Sequence, residues 1–408
     1  MNSTGPAATG GGDPANSPPG GSSATGRWPV AILGPFPPYR GGIAQHTALL
    51  ARALAVRHPV RGISFARLYP GFLFPGRTQF DPSATSLVSA DWRVERLLDS
   101  IGPHTWPRTA AAVTQAGCRL LIVQWWHPFF APAVATVGRA LRRQGVRTLF
   151  VCHNVLPHET SRLNGALVRL GLGAADACIV HSETDRDALL RLFPRKPHLL
   201  TPLPAFDIFA HGRVTRDEAR HELQLQGPVV LFFGLVRPYK GLDVLLQAIA
   251  RARTDRPMTL LVVGEFYEDR TRYERLRTEL GLDDCVRFVD RYVPNDEVEP
   301  YFRAADIVVL PYKSATQSAI VQVALTFERP AIVTRVGGLP ESVRVGETGD
   351  VVPPEDPAAL ARSLLQFFGS DAAERMQPHL RQAAAAFSWD AMDAAVLALE
   401  RQLGLPVG

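Results

Sequence analysis

Ten short apolar runs, most of them parted by helical stretches, constrain this chain more than anything else in it. They occupy residues 28–33, 60–68, 120–125, 147–152 and 177–180, then 229–233, 260–263, 286–289, 307–310 and 331–334. A strand that is apolar along its whole length has no face to turn to water. It belongs in a parallel sheet covered by helices on both sides. The intervening stretches carry helical stripes, such as Ile43, Leu50, Ala53 and Leu54, or Leu242, Leu245, Leu246 and Ile249. The expected fold class is therefore α/β, with two doubly wound Rossmann-like domains facing across a crevice. A length of 408 residues suits two such domains.

The boundaries follow composition. Residues 1–26 are almost wholly Gly, Ser, Ala, Pro, Thr and Asn, and are read as a disordered tail, since they bury too little apolar surface to offset ordering. With no basic start and no apolar core, the tail is not read as a signal peptide. Residues 27–204 form the first domain and 205–385 the second. Residues 386–408 are expected to be a helix returning to the first. The stretch 69–107, rich in Phe, Pro and Trp, reads as an irregular insertion over the crevice. The segment opened by 337–341 reads as a helix, and 371–403 as helical.

Two stretches carry the chemistry. Residues 229–240, VVLFFGLVRPYK, close an apolar run with Gly234 and set Arg237 and Lys240 before a helix. Residues 310–330 lead from another apolar run through a polar loop into a helix that is apolar nearly all round. Cations and free amides beyond strand ends suit a diphosphate, whose charge the cations offset. Gly41 and Gly42, between the first strand and its helix, either let backbone approach a ligand closely or form a simple tight turn. His127, His153 and His181 each follow a strand, where open α/β sheets bind ligands. His46 and His127 are candidates for the acceptor side. Glu265 either bonds ligand hydroxyls or ends a turn, and Tyr239 and Tyr312 either stack on a base or pack.

Other classes fit less well. No basic run interleaved with aromatics supports a nucleic-acid partner. The four cysteines are dispersed without a CxxC pair and read as buried reduced thiols. A metal hydrolase using His127, His153, His158 or Glu159 lacks helical ligand spacing, and the acidic pair Asp185 and Asp187 reads as solvated surface, so no metal is expected. A dinucleotide fingerprint is absent. No run of 18 apolar residues occurs, which sets the expected location as cytoplasmic.

Across residues 28–400 the chain resembles the retaining glycosyltransferases of family 4, which have the GT-B fold. The resemblance rests on Gly41-Gly42, on the G-x-x-R-x-x-K run of Gly234, Arg237 and Lys240, and on VVGE at 262–265. It continues through VRFVDRYVPNDEVEPYFRAADIVVLPY and TRVGGLPE. It implies metal-independent transfer of a sugar from a nucleotide-sugar donor to an acceptor hydroxyl, with retention of configuration. The donor is then a substrate and no cofactor is required. The first domain would hold the acceptor and the second the donor. Arg237 and Lys240 match the family's diphosphate pair and His153 its histidine near the reacting sugar. Two glutamates usual in the family are replaced by Ser314 and Gln322. Gln322 is expected to bond ribose hydroxyls, and Thr316, Gln317 and Ser318 the donor. The alternative is an inactive binding protein of the same fold. With Arg40, Arg52 and Arg57 near the aromatic stretch, a lipid-linked acceptor and peripheral contact with an anionic inner membrane face are further expectations.

Overall fold

The computed structural model describes residues 28–71, 78–81, 92–156 and 162–406. In the first half, strands β1 (Val30–Leu33), β2 (Val60–Arg67), β3 (Val94–Asp99), β4 (Leu120–Trp125), β5 (Arg147–Cys152), β6 (Ala177–Val180) and β7 (His198–Leu200) alternate with helices. These are α1 (Gly42–Leu54), α2 (Thr105–Gln115), α3 (Ala131–Arg142), α4 (Arg162–Gly173) and α5 (Glu183–Leu192), with none between β2 and β3 among the described residues. The seven strands lie parallel in the order β3-β2-β1-β4-β5-β6-β7. Every residue of β1, β4 and β6 is buried, as continuous apolar runs require.

The second half holds β8 (Val229–Phe233), β9 (Thr259–Val263), β10 (Val286–Val289), β11 (Ile307–Leu310), β12 (Ala331–Thr334) and β13 (Gly349–Val352). Its helices are α6 (Arg216–Glu222), α7 (Leu242–Ala252), α8 (Thr271–Glu279), α9 (Glu299–Ala304), α10 (Ala319–Thr326), α11 (Pro357–Phe368), α12 (Ala372–Ala386) and α13 (Trp389–Gln402). The sheet order is β10-β9-β8-β11-β12-β13. In each sheet the strand order reverses beside the first strand, between β1 and β4 and between β8 and β11. Loops leaving neighbouring strands there part to opposite faces, and the gap at their carboxyl ends is where such sheets bind ligands.

Four expectations are corrected. The stretch 69–107 contributes an edge strand, β3, and the start of α2, although 72–77 and 82–91 lie outside the described residues. Residues 337–341 open a single 3-10 turn (Leu339–Ser342) instead of a helix, and β13 follows it. The 371–403 segment is two helices, broken at Phe387 and Ser388. Cys285 is half-buried and takes a guanidinium contact from Arg253, while the other three thiols are buried. The 1–26 tail lies outside the described residues.

The chain crosses between domains twice, and the crossings touch. Ala205 N donates to Phe387 O at 2.7 Å, and Trp389 Nε1 donates to Ala205 O at 3.0 Å. Beyond that point α13 lies on the first domain. Met392, Val396 and Leu399, fully buried, share an apolar cluster with Leu50, Ala51 and Leu54 of α1. Each such side chain contributes roughly 1.5–3 kcal/mol by leaving water. Arg57 pairs with Asp393 at 2.8 Å and His58 with Glu400 at 3.1 Å, fixing the register of the contact.

Candidate active site

The crevice is built by two loops of the same kind, one from each domain. After β1 the chain turns at Gly41 (φ 103°) into α1, and after β8 it turns at Gly234 (φ 106°) toward Lys240. Both are left-handed positions that suit glycine. Gly234 also gives room: a Cβ there would stand 3.2 Å from Lys240 Nζ. Across the gap, a Cβ on Gly42 would lie 3.7 Å from that of Ala319, the first residue of α10. Ser318 caps α10, its hydroxyl accepting from Ile320 N.

Between these loops lies a pocket of about 420 Å³, lined by Gly41, Gly42, Gly234, Arg237, Lys240, Glu265, Gln317 and Ser318 among others. The Arg237 guanidinium sits 4.8 Å from the Tyr267 ring centre, and Lys240 Nζ 5.4 Å from that of Tyr312. Among the described residues neither makes an ion pair with a carboxylate. Burial, then the field of Arg237, opposed by Tyr239, leaves the Lys240 ammonium with a lowered pKa. Two such cations on aromatic faces make a site for an anion.

Glu265 is not turned to a ligand in this state. Its carboxylate pairs with Arg40 Nη1 at 2.8 Å, both side chains nearly inaccessible, and Arg40 Nη2 donates to Tyr267 OH at 2.7 Å. This ion pair joins the two domains. Gln45 Nε2 donates to Asn295 Oδ1 at 2.6 Å, Tyr292 OH to Asp81 Oδ2 at 3.0 Å, and Gln317 Nε2 to His181 O at 3.0 Å. Thr316 meets Asn154 through their side chains. The crevice is closed by polar contacts that water or a ligand is able to replace.

A second chamber of about 220 Å³ adjoins the first, sharing Gly42, Phe206, Gln317 and Ala319, and is lined by His46, His153, His181 and Asn154. The ring centres lie 4.6 Å (His46–His153), 5.8 Å (His46–His181) and 5.6 Å (His153–His181) apart. All three are buried, and burial is the first cause of their depressed pKa values. The His46 and His153 values lie well below the ordinary range, His46 depressed further by His153 and His181 and His153 by His181, and that of His181 lies at about 4. At neutral pH the chamber is lined by uncharged imidazoles. Among the described residues no group of three His, Cys, Asp or Glu is placed to hold a metal ion.

Several expected residues stand elsewhere. His127 does not join the other histidines: its exposed ring turns back to accept from Phe129 N at 3.1 Å, capping the turn after β4. Gln322 is 1 % exposed on α10 and does not line the pocket; its Oε1 has no hydrogen-bond partner among the described residues. Ser314 is exposed and outside the pocket lining. Asp185 is buried rather than solvated, accepting from Val155 N at 2.8 Å and from Ser182. Arg52 pairs with Asp207, as Arg40 and Arg57 do with their own partners, so the three form no free basic patch. His158 and Glu159 lie outside the described residues. Sequence reasoning missed Arg40, Tyr267 and Asn154 in the site; Arg40 stands directly before the glycine pair, which was the available signal.

Comparisons with known proteins agree with this geometry. A family model described as Glycosyl transferases group 1 matches residues 227–370, and one described as Glycosyltransferase Family 4 matches residues 40–204. D-inositol 3-phosphate glycosyltransferase 1 of Catenulispora acidiphila is 31% identical over 245 residues, covering 56% of this chain and 58% of that protein. The corresponding protein of Streptomyces scabiei is 33% identical over 237 residues, 54% and 53% of the two chains. The match spans about half the length of these relatives. Among solved structures, sucrose-phosphate synthase from Thermosynechococcus elongatus superposes with a TM-score of 0.72 at 24% identity, over 93% of this chain and 99% of that one. Anabaena HepE in complex with UDP gives 0.70 at 17%, over 92% and 100%. These likenesses establish the fold as GT-B, two facing Rossmann-like domains. By the two family models that divide it between them, the chain belongs to the group 1, family 4 glycosyltransferases.

Proposed function

We propose that this protein transfers a sugar from a nucleoside-diphosphate sugar to an acceptor hydroxyl. The single observation that carries the reading is the pair of cations, Arg237 and Lys240, on one wall of the interdomain pocket, with no carboxylate paired to either among the described residues. In the transfer, the bond from the sugar's anomeric carbon to the diphosphate oxygen breaks and its electrons remain on the diphosphate. The added charge develops between Arg237 and Lys240, with the amides at the start of α10 nearby. Groups already fixed in place stabilise that charge without reorganising. The acceptor oxygen bonds to the anomeric carbon and its proton goes to the departing phosphate oxygen. This route leaves configuration retained and needs no metal. The sugar ring lies in the chamber of His46, His153 and His181, beside the diphosphate pocket. The solved neighbour bound to UDP makes a uridine diphosphate sugar the first donor to try.

The test is calorimetric titration with UDP, GDP and ADP, followed by donor hydrolysis with the matching sugar nucleotides. Submillimolar binding of one diphosphate and slow release of its sugar are expected. Failure of all three to bind at millimolar concentration would refute the reading.

A further inference from the structure

Gln124 is the one long polar side chain of β4, and it points into the fold rather than to water. It is 3 % exposed and stands in register with Val151 of β5. The structure makes room for it: a Cβ on Gly34 would lie 2.7 Å from Gln124 Cγ and 2.9 Å from Thr47 Oγ1. Thr47 is itself held, its hydroxyl donating to Ile43 O at 2.6 Å. A buried amide confined in this way costs free energy unless it is bonded. Its oxygen is bonded to the chamber, Oε1 standing 2.6 Å from His153 Nε2, while its Nε2 finds no acceptor among the described residues. The backbone of His153 is fixed as well, its N donating to Trp125 O at 2.8 Å.

An amide oxygen only accepts, so the proton of this bond belongs to His153 Nε2. We propose that Gln124 is a positioning residue for the transfer: it holds His153 as the Nε2–H tautomer and so leaves Nδ1 as the acceptor for a sugar hydroxyl in the chamber. The inference rests on the sugar-transfer reading above, but the tautomer itself does not depend on it. A neutral imidazole has one donor and one acceptor nitrogen, and whichever bond one nitrogen makes decides the role of the other. His46 and His181 are the titratable groups facing this ring, and burial, then the field of His181, disfavours a second proton on it. A ring free to flip would offer a donor where an acceptor is needed, and would lose part of its population to the wrong orientation.

The experiment has a spectroscopic arm and a kinetic arm. Long-range ¹H–¹⁵N correlation spectra of the histidine rings, with His153 assigned by its loss in His153→Gln, report the tautomer directly. The wild type should show the Nε2–H pattern. Gln124→Met should show mixed tautomers and lose about 10- to 100-fold in kcat while binding nucleoside diphosphate as the wild type does. Gln124→Glu keeps an acceptor on Nε2 and should retain the tautomer; its carboxylate favours the imidazolium, so the acid limb of the kcat profile should move to higher pH. An Nδ1–H pattern in the wild type overturns the proposal. So does wild-type kcat in Gln124→Met, or equal losses in both variants with an unmoved pH profile. If no diphosphate binds the wild type, the sugar-transfer reading fails while the tautomer result still stands or falls alone.

Discussion

Replacing Lys240 by Met should make the unliganded protein more stable and its diphosphate binding weaker. The ammonium occupies a pocket wall with no carboxylate partner among the described residues, and burial lowers its pKa, so the folded state carries a charge it holds poorly. Methionine keeps the length and the contact with Tyr312, 5.4 Å from Nζ in the native protein, and removes the charge. Relief of this kind is worth about 1 kcal/mol, which raises Tm by roughly 2–4 °C in a domain of this size. In the complex the sign reverses. A charge-assisted bond to phosphate is worth about 1.5–3 kcal/mol, so affinity for the diphosphate should fall by roughly 10- to 150-fold. Differential scanning fluorimetry gives the first number and calorimetry with the preferred nucleoside diphosphate the second. Unchanged affinity in Lys240→Met would refute the assignment of the cation. A drop of several degrees in the unliganded Tm would show that Lys240 is held by the fold rather than kept for a ligand.

Three further outcomes are expected. The His181 pKa lies at about 4 in the folded protein against about 6.5 unfolded, so its contribution is present above about pH 6.5 and is lost as pH falls toward 4. The wild type should therefore lose about 3 kcal/mol more than His181→Gln over that window; tryptophan fluorescence in urea follows it, since all six tryptophans lie in the first domain or on α13. Arg40→Met should cost about 3 kcal/mol by removing the cation paired with the buried Glu265 carboxylate, and adding Glu265→Gln should recover much of it in thermal denaturation; additive losses would mean the pair is not coupled. Leu399→Ala should cost about 2–5 kcal/mol, read as early unfolding of the first domain although the residue lies near the other end of the chain.

The central strands were legible in the sequence because full burial on both faces leaves a continuous apolar run, as in VAIL of β1 or IVVL of β11. Three strands at the margins, β3, β7 and β13, were not, although β10, also an edge, was. VERLLD in β3 and GDVV in β13 are mixed, since an edge strand meets water along one side. Arg237 and Lys240 were readable because the strand and glycine before them fix where they emerge. His127 misled because residue spacing says that a side chain follows a strand, but not that a local turn captures its ring. Gln124 was invisible for the opposite reason. One polar residue in an apolar strand acquires meaning only when a glycine and a threonine from other elements are seen to enclose it. Arg40 and Glu265 meet across 225 positions, a pairing that no local pattern announces.

The two domain crossings at Ala205 and Phe387 run side by side and are hydrogen-bonded to each other. A body attached by two adjacent cords keeps one easy motion, swinging about the line through them, and loses the freedom to spin or drift. An opening about that line would return along the same arc and bring the cations of one half back to the chamber of the other in the same alignment. Cutting the chain before Phe387 would leave a single leash and a donor half that wanders, with its own pocket wall unchanged.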